Sequence, residues 1–494
     1  MSLKFYNTLT NRVEEFKEIE KGKVKFYMCG PTVYDRAHIG NFRSNLSQDL
    51  IKRYFIYLGY DVLHVMNITD VEDKIIRKSI DRNCHINEVT EEYIQGFMED
   101  AEILNVLKAD VYPRATTHIR EMLDLVEKLE ANGYAYQKGD SVYFNIAKFE
   151  GYGKLANLEK GNLIVGASVD SDEYDKDNAR DFVLWKGKKE GEPSWDSNFG
   201  PGRPGWHLEC SAMGMKYLGE TFDLHMGGVD LIFPHHENEI AQAQCATGKK
   251  FVNYWLHCQH LVVDNLKMSK SLGNQYTVSD LLDRGFDPMA IRYLLISTHY
   301  RKLLNFTFKG LEGAAHSLKR IKDFIFTIEN LNPGEGETED ISQLIQDSEE
   351  AFQEHMNNDF NISGALGAFF DFIHQVNLKL TERSATAADD VNERYSAQKK
   401  SSQKNKISAH SSTEIKKKDR GNILEFIDRI NTVLGVIKKE AGGSLEEEIL
   451  KKIELRQKAR QEKDFKMADS IRDELKSRGI ILIDTPEGTK WKQE

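Results

Sequence analysis

Lys267-Met268-Ser269-Lys270-Ser271, followed by Leu272-Gly273-Asn274, sets two lysines three residues apart, with hydroxyls between them and a glycine behind. A loop of this kind suits a mobile cover over a triphosphate. When a nucleophile attacks an α-phosphate, charge develops there and on the leaving pyrophosphate. Positioned cations stabilise that charge most where water is excluded. A second segment, His38-Ile39-Gly40-Asn41, stands where a strand gives way to a helix. Its glycine lets a nucleotide approach the backbone, and the helix N-terminus offers N–H groups to phosphate. His38 and Asn41 can both donate hydrogen bonds. Taken singly, each segment has a plainer reading: a solvated basic turn, and a strand–helix turn with a surface histidine.

A third group is of metal-ligand type. Cys29 ends the first strand, and Cys210 stands in Gly205-Trp206-His207-Leu208-Glu209-Cys210. His235 and Glu239 stand in Pro234-His235-His236-Glu237-Asn238-Glu239. Four apart on a helix, His235 and Glu239 share a face. Spacing alone does not announce a metal site, since no CxxC or HExxH is present. On that ground, buried free cysteines and a helix-capping His–Glu pair are the simpler account. The five cysteines are an odd number spread over a long chain, which argues against a disulfide framework.

These residues need a scaffold. Val24, Phe26 and Met28 alternate as in a half-buried strand. From Asn41, the positions Phe42, Leu46, Leu50, Tyr54 and Leu58 follow helical spacing, and Gly59 marks the helix end. Val62-Leu63-His64-Val65-Met66 reads as a second strand. Strand, loop, helix and strand make a βαβ unit, the seed of a parallel sheet. Ligands of such sheets bind at the carboxyl ends of the strands, here the loop from Cys29 to Gly40. The predicted fold is α/β, with a Rossmann-like parallel-sheet catalytic domain over 1–114 and 201–310. Residues 115–200 are expected to be a connective insertion. An α-helical bundle is expected over 311–440, and a small C-terminal αβ domain over 445–494. Residues 384–420 are rich in Ser, Lys, Ala and Asn and poor in large apolar side chains. They are predicted to be a mobile insert. In the tail, Phe465, Ala468, Ile471 and Leu475 share one helix face. Ile480–Ile483 follow as a strand, with a turn at 486–488.

Composition bounds the rest. The chain has 494 residues, 40% hydrophobic and 29% charged, enough for a real core. No stretch approaches the ~20 apolar residues of a membrane helix. The start, Met1-Ser2-Leu3-Lys4, has no apolar signal region, so a cytoplasmic protein is expected. The net charge of −11 argues weakly against nucleic acid as a partner, because phosphate must be neutralised by local Lys and Arg. The charge is uneven, however. Residues 382–420 hold ten basic against six acidic residues, and residues 445–494 hold twelve of each. A local basic face for RNA therefore remains open.

The two loops together, in this order and in a βαβ setting, resemble the HIGH and KMSKS signatures of class I aminoacyl-tRNA synthetases. KMSKS is complete, and Asn41 replaces the last histidine of HIGH. Three longer runs, Phe26–Asp35, Gly205–Ser211 and Gly227–Glu239, resemble the cysteinyl-tRNA synthetase family. The resemblance covers nearly the whole chain outside 384–420. It implies ATP-dependent ligation of L-cysteine to tRNA(Cys) through a cysteinyl-adenylate, with Mg²⁺ accompanying ATP. It implies that Cys29, Cys210, His235 and Glu239 hold one Zn²⁺, to which the substrate adds its thiolate. The ligand chemistry agrees, since thiolates with an imidazole favour zinc. An apolar pocket separates near-isosteres such as serine and cysteine by only about 10²-fold. A zinc–thiolate bond, which a neutral hydroxyl cannot match, separates them far better, so no editing domain is expected. The resemblance further implies His38, Asn41, Lys267 and Lys270 as catalytic residues, with Gly40, Gly228, Asp230 and Lys270 on ATP. Thr69, Trp206 and His225 would contact the substrate cysteine. Plainer roles exist for Trp206 in core packing and for Thr69 as a helix N-cap before Asp70. The tail resembles the family's anticodon-binding domain, and a monomer is expected.

Overall fold

A computed structural model describes residues 2–158, 181–331, 333–397, 415–438, 444–485 and 488–493. Strands β1 (Lys4–Asn7) and β2 (Arg12–Glu15) pair as a short antiparallel ribbon. Then β3 (Lys23–Met28), helix α1 (Ile39–Tyr57) and β4 (Asp61–Met66) form the expected βαβ unit. Helix α1 stops at Leu58 because Gly59 takes the left-handed φ of +87°, which costs a glycine little. Helices α2 (Asp73–Arg82) and α3 (Ile86–Ile103) follow.

The insertion begins with α4 (Ile119–Ala131), whose Met122, Leu125, Val126 and Leu129 are buried at helical spacing. Four antiparallel strands continue it: β5 (Ala135–Lys138), β6 (Ser141–Phe144), β7 (Phe182–Gly187) and β8 (Gly202–Pro204). Helix α5 (Trp206–Leu218), strand β9 (Phe222–Gly228), helix α6 (Glu237–Thr247) and strand β10 (Val252–Cys258) resume the main sheet. Its order is β10-β9-β3-β4, parallel throughout. The chain leaves β3 towards β4 on one side and leaves β9 towards β10 on the other. The carboxyl ends of β3 and β9 therefore flank a topological switch point, where ligands of open parallel sheets bind.

A small sheet of β11 (Leu261–Val263), β12 (Leu266–Lys267) and β13 (Leu304–Phe306) carries the basic loop at the end of β12. Helices α7 (Val278–Leu282) and α8 (Pro288–Ser297) lie between β12 and β13. The bundle comprises α9 (Phe308–Glu329), α10 (Glu339–Asn357), α11 (Ile362–Ala397) and α12 (Lys417–Leu434). The expected insert at 384–420 is partly helical. Residues 384–397 continue α11, and 417–420 are the first turn of α12. An Ala-, Glu- and Arg-containing stretch propagates a helix on backbone propensity without an apolar stripe. Residues 398–414 lie outside the described residues.

The tail holds α13 (Ser444–Gln461), α14 (Phe465–Ser477) and the hairpin β14 (Ile480–Thr485) and β15 (Gly488–Gln493). The turn expected at 486–488 falls largely outside the described residues. Ala468, Ile471 and Leu475 are buried, but Phe465 is 62% exposed. Phe465 is the first residue of α14, after the N-cap Asp464, and so lies beyond the edge of the small core.

The bundle is joined to α1 through a buried polar knot. Asp49 on α1 accepts from Arg53 Nε (2.8 Å) and Arg292 Nη2 (2.5 Å). Arg292 also donates to the carbonyls of Leu434, Leu104 and Asn105. Arg53 donates to those of Thr432 and Asn105. The last carbonyls of α12, unpaired within the helix, thus find cationic donors. Burial works against a charge on Asp49, yet the two guanidiniums hold its carboxyl below the usual range. Among the described residues no helix is long and apolar enough to cross a membrane.

Candidate active site and metal centre

The switch point opens as a cleft of about 450 Å³. The tip of β3 brings Cys29 and Gly30 to it, and the tip of β4 brings Asn67 and Thr69. The tip of β9 brings Gly228 and, in the turn after it, Asp230. Helix α1 supplies Gly40 and Asn41, with His38 as its N-cap.

Ligand-type atoms converge beside this cleft. Cys29 Sγ, Cys210 Sγ, a ring nitrogen of His235 and a carboxylate oxygen of Glu239 all lie within 4.8 Å of one another. The four come from four places: the β3 tip, helix α5, the irregular turn Ile232–His236 and the first turn of α6. A second quartet of Cys29, His225, His236 and Glu239 overlaps the first. The first is the better cation site for this cleft. It has two thiols instead of one, and soft sulfur with imidazole suits zinc. Its Cys29, Cys210 and His235 line the cleft, whereas His225 and His236 do not.

A shell of buried histidines backs the first quartet. His236 Nε2 lies 3.2 Å from Cys29 Sγ. The Nδ1 atoms of His207 and His235 are 2.9 Å apart. His225 Nε2 lies 2.9 Å from Glu239 Oε2, and His235 Nε2 lies 3.1 Å from Glu239 Oε1. His236 leans in turn on His257 (2.8 Å), and His257 on Thr8 Oγ1 (2.8 Å). Such partners fix ring orientation and tautomer. Trp206 lies over His235, with ring centroids 4.3 Å apart.

The charges of the four are interdependent. A hydrogen bond from Cys29 draws the Cys210 thiol down to about 6 against the effect of burial. Burial, then the neighbouring Cys210, pushes the Cys29 thiol well up. Burial disfavours a charged His235, yet Cys210 and Glu239 raise it to about 10. Burial likewise opposes ionised Glu239, but His225 and His235 hold it at about 2. Protons on Cys29 and His235 must leave before all four groups can serve as ligands.

Thr69 and Trp206 both reach the cleft. Thr69 is not a helix N-cap, because α2 starts at Asp73 and is capped by Glu72. Thr69 Oγ1 donates to Glu209 Oε2 (2.8 Å) and accepts from Asn67 Nδ2 (3.3 Å), so its hydroxyl is oriented from both sides. Burial raises the Glu209 carboxyl well above its ordinary range. His225 does not line the cleft. It is fully buried behind Glu239, stacked on Trp255.

The phosphate-type loops line the same cleft. His38 Nδ1 accepts from the backbone N–H of Gly40 (3.1 Å) and of Asn41 (3.2 Å). Two N–H groups expected to face a phosphate are thus capped by the histidine itself. An Nδ1 that accepts leaves the ring proton on Nε2 as the donor. Asn41 Oδ1 accepts from the His38 N–H (3.0 Å), closing a capping box. This gives Asn41 a structural reason to stand where the signature has histidine: its oxygen caps while its amide nitrogen keeps two donors.

Lys270 lines the cleft and forms an ion pair with Asp35. Lys267 does not line it; it ends β12, where its carbonyl accepts from Asn274 Nδ2 (3.2 Å). Met268 packs so close to Gly40 that a Cβ there would collide with its methyl. The glycine of one signature therefore admits the methionine of the other.

Several residues went unread in the sequence: Asp35, Asn67, Glu209, His207, His236 and His257. Asp35, Glu209, His207 and His236 had position as their one signal, since they lie inside the three family-like runs, while Asn67 and His257 lie outside them.

The family model described as tRNA synthetases class I (C) catalytic domain matches residues 15–316, and the DALR domain model matches 351–438. The fold is shared with the methionyl-tRNA synthetase of Mycobacterium tuberculosis in complex with methionyl-adenylate. The TM-score is 0.58 at 14% identity, covering 83% of this chain and 90% of that one. A LeuRS–tRNA–LeuAMS complex from Agrobacterium radiobacter gives 0.54 at 11% identity, with 74% and 82% covered. Fold and matched model define a class I aminoacyl-tRNA synthetase. Within that class, a cysteine–tRNA ligase of Brachyspira hyodysenteriae is 46% identical over 99% of both chains. That of Chlamydia caviae is 46% identical over 99% of this chain and 98% of its own. That of Solibacter usitatus is 43% identical over 100% of both. The chain belongs to the cysteine–tRNA ligase family.

Proposed function

We propose that the protein activates L-cysteine with ATP and transfers the cysteinyl group to tRNA(Cys), with zinc selecting the substrate thiolate. One observation carries this reading. Cys29, Cys210, His235 and Glu239 converge beside the same cleft that His38, Asn41 and Lys270 line. A substrate whose thiol is anchored by the first group shares the cleft with the second, where its carboxylate would meet ATP.

In the first step a cysteine carboxylate oxygen attacks the α-phosphorus of ATP, and pyrophosphate leaves with the electron pair of the broken P–O bond. Asn41 Nδ2 and His38 Nε2 donate to phosphate oxygens. Gly228 and Asp230 take the adenosine. Lys270, with Lys267 at the start of the basic loop, stabilises the pyrophosphate, and Mg²⁺ accompanies ATP. Trp206 and Thr69 border the substrate cysteine, while His225 acts only through Glu239. In the second step the terminal ribose hydroxyl of tRNA(Cys) attacks the cysteinyl carbonyl and AMP leaves. Catalysis here is mainly positioning and charge stabilisation. Bound zinc would supply a Lewis acid that takes a thiolate and that a neutral serine hydroxyl matches poorly.

Residues 1–114 and 201–310 form the catalytic domain in this reading, with 115–200 as the connective insertion. Residues 311–440 form the bundle and 445–494 the anticodon-binding domain. The protein works as a cytoplasmic monomer. A rival, ligation of cysteine to an amino sugar, needs no anticodon-binding tail, and the full-length match to cysteine–tRNA ligases speaks against it.

Cys210→Ser tests the site. Losing a ligand is expected to weaken zinc binding by more than the roughly 10–100-fold that loss of a supporting partner causes. Rejection of serine should fall with it. Unchanged zinc content on metal analysis would remove Cys210 from the site.

A further inference from the structure

The basic loop touches the opposite wall of the cleft at two points. Met268 abuts Gly40, and Lys270 Nζ pairs with Asp35 Oδ2. Asp35 lies between β3 and α1, three residues before His38. It is clamped from its own side: Lys78 Nζ on α2 stands 3.5 Å from its Oδ1, and the Arg36 N–H donates to the same oxygen at 3.0 Å. Lys78 is itself held by the Tyr34 carbonyl (2.8 Å). The loop's hydrogen bonds from Ser269 N–H to Asn274 Oδ1 and from Asn274 Nδ2 to the Lys267 carbonyl stay within the loop.

We propose that Asp35 is a positioning residue: it draws Lys270 over the cleft before ATP arrives. The closed loop then has its lysine aligned when charge develops on the pyrophosphate. This rests on the reading of Lys270 as the pyrophosphate cation.

The arrangement answers two objections. A lone carboxylate facing a triphosphate would repel it. Lys78 keeps a cation on Asp35 after Lys270 turns to the phosphate, so the charge stays neutralised. A strong ion pair would also retain the lysine. Lys270 is 72% exposed and Asp35 30%, and exposed pairs are weak. The contact therefore orders the loop but yields to a triphosphate. Partial burial opposes the Asp35 charge, yet Lys270 and Lys78 keep its carboxyl below the usual range.

A double-mutant cycle in the full-length, zinc-loaded protein tests the proposal by ATP–pyrophosphate exchange with cysteine. Asp35→Asn is expected to lower kcat about tenfold, as for loss of one modest alignment contact. The KM for cysteine should not change, and the KM for ATP should stay level or fall. Asp35→Glu should recover most of the rate. In the Lys270→Ala background, Asp35→Asn should have no further effect. An equal loss in both backgrounds would mean that Asp35 acts without Lys270, and would overturn the proposal. So would an unchanged kcat in Asp35→Asn. A Lys270→Ala enzyme of normal rate would instead defeat the underlying reading of Lys270.

Discussion

Replacing Lys270 by alanine is expected to slow cysteine-dependent ATP–pyrophosphate exchange by about 10²–10³-fold, the usual cost of removing one group aimed at developing charge. Cysteine affinity should hardly change. Lys270 pairs with Asp35 in the cleft lining and is not one of the groups of the Cys29–Glu239 cluster. The lysine would act on charge that grows during the step and so belongs to kcat rather than to ground-state binding. Equal losses of rate and of cysteine affinity, the latter by calorimetry, would count against this role. Lys267→Ala should cost less, because Lys267 ends a strand outside the cleft lining.

The second large effect concerns stability. Arg292→Ala is expected to destabilise the chain by about 3–5 kcal/mol, the range for breaking a buried charge pair by removing one partner. Arg292 and Asp49 are 0% and 1% exposed in their side chains. Alanine would leave Asp49 with one guanidinium in place of two, would strip charged donors from the carbonyls of Leu434 and Leu104, and would leave that of Asn105 to Arg53. A surface pair offers the contrast. Lys249–Glu220 is 63% and 45% exposed, and its loss should cost no more than about 1 kcal/mol. Urea unfolding of the two variants distinguishes them, and similar midpoints would contradict the stabilising role of the knot. Because the knot receives the end of α12, a weakened Arg292 variant should loosen the bundle against α1 as well.

The scaffold of the site was legible in local pattern. Strand alternation to Met28, apolar spacing from Phe42 to Leu58 and the glycine at 59 predicted β3, α1 and its end. The βαβ rule placed ligands at the loop from Cys29 to Gly40, but the switch point itself needs β9 and β10 beside β3, a pairing that local pattern does not give. The tail was less legible. Helix α13 carries charges on half of its positions, and Ile449 and Ile453, which join the small core of the tail, make too short an apolar signal. Phe465 fitted the apolar spacing of α14, but spacing does not say where a core ends. The stretch 384–397 lacked an apolar stripe and continued a helix all the same.

The site itself divides in the same way. Cys29, Cys210, His235 and Glu239 come from distant positions, and spacing offered no reason to join them; resemblance to a family did. The histidines behind them make no periodic pattern, since a buried ring is placed by its partner across the fold. From sequence, the N–H groups of Gly40 and Asn41 read as open to phosphate. A histidine that caps its own helix reads the same as one that faces a ligand until the hydrogen bonds are seen. His225 showed the converse: a family-like position that proves to stand behind a carboxylate, away from the cleft.

The proposed function turns on zinc, held by four converging side chains, selecting cysteine for activation. The direct measurement is ATP–pyrophosphate exchange with cysteine and with serine, on zinc-loaded and metal-stripped protein, with zinc quantified in each. One zinc per chain is expected, with exchange that needs cysteine and fails when the metal is removed. Serine should be rejected by well over the ~10²-fold that an apolar pocket achieves for a near-isostere. Full cysteine exchange in metal-free protein, or serine accepted within that factor by the zinc-loaded form, would contradict it.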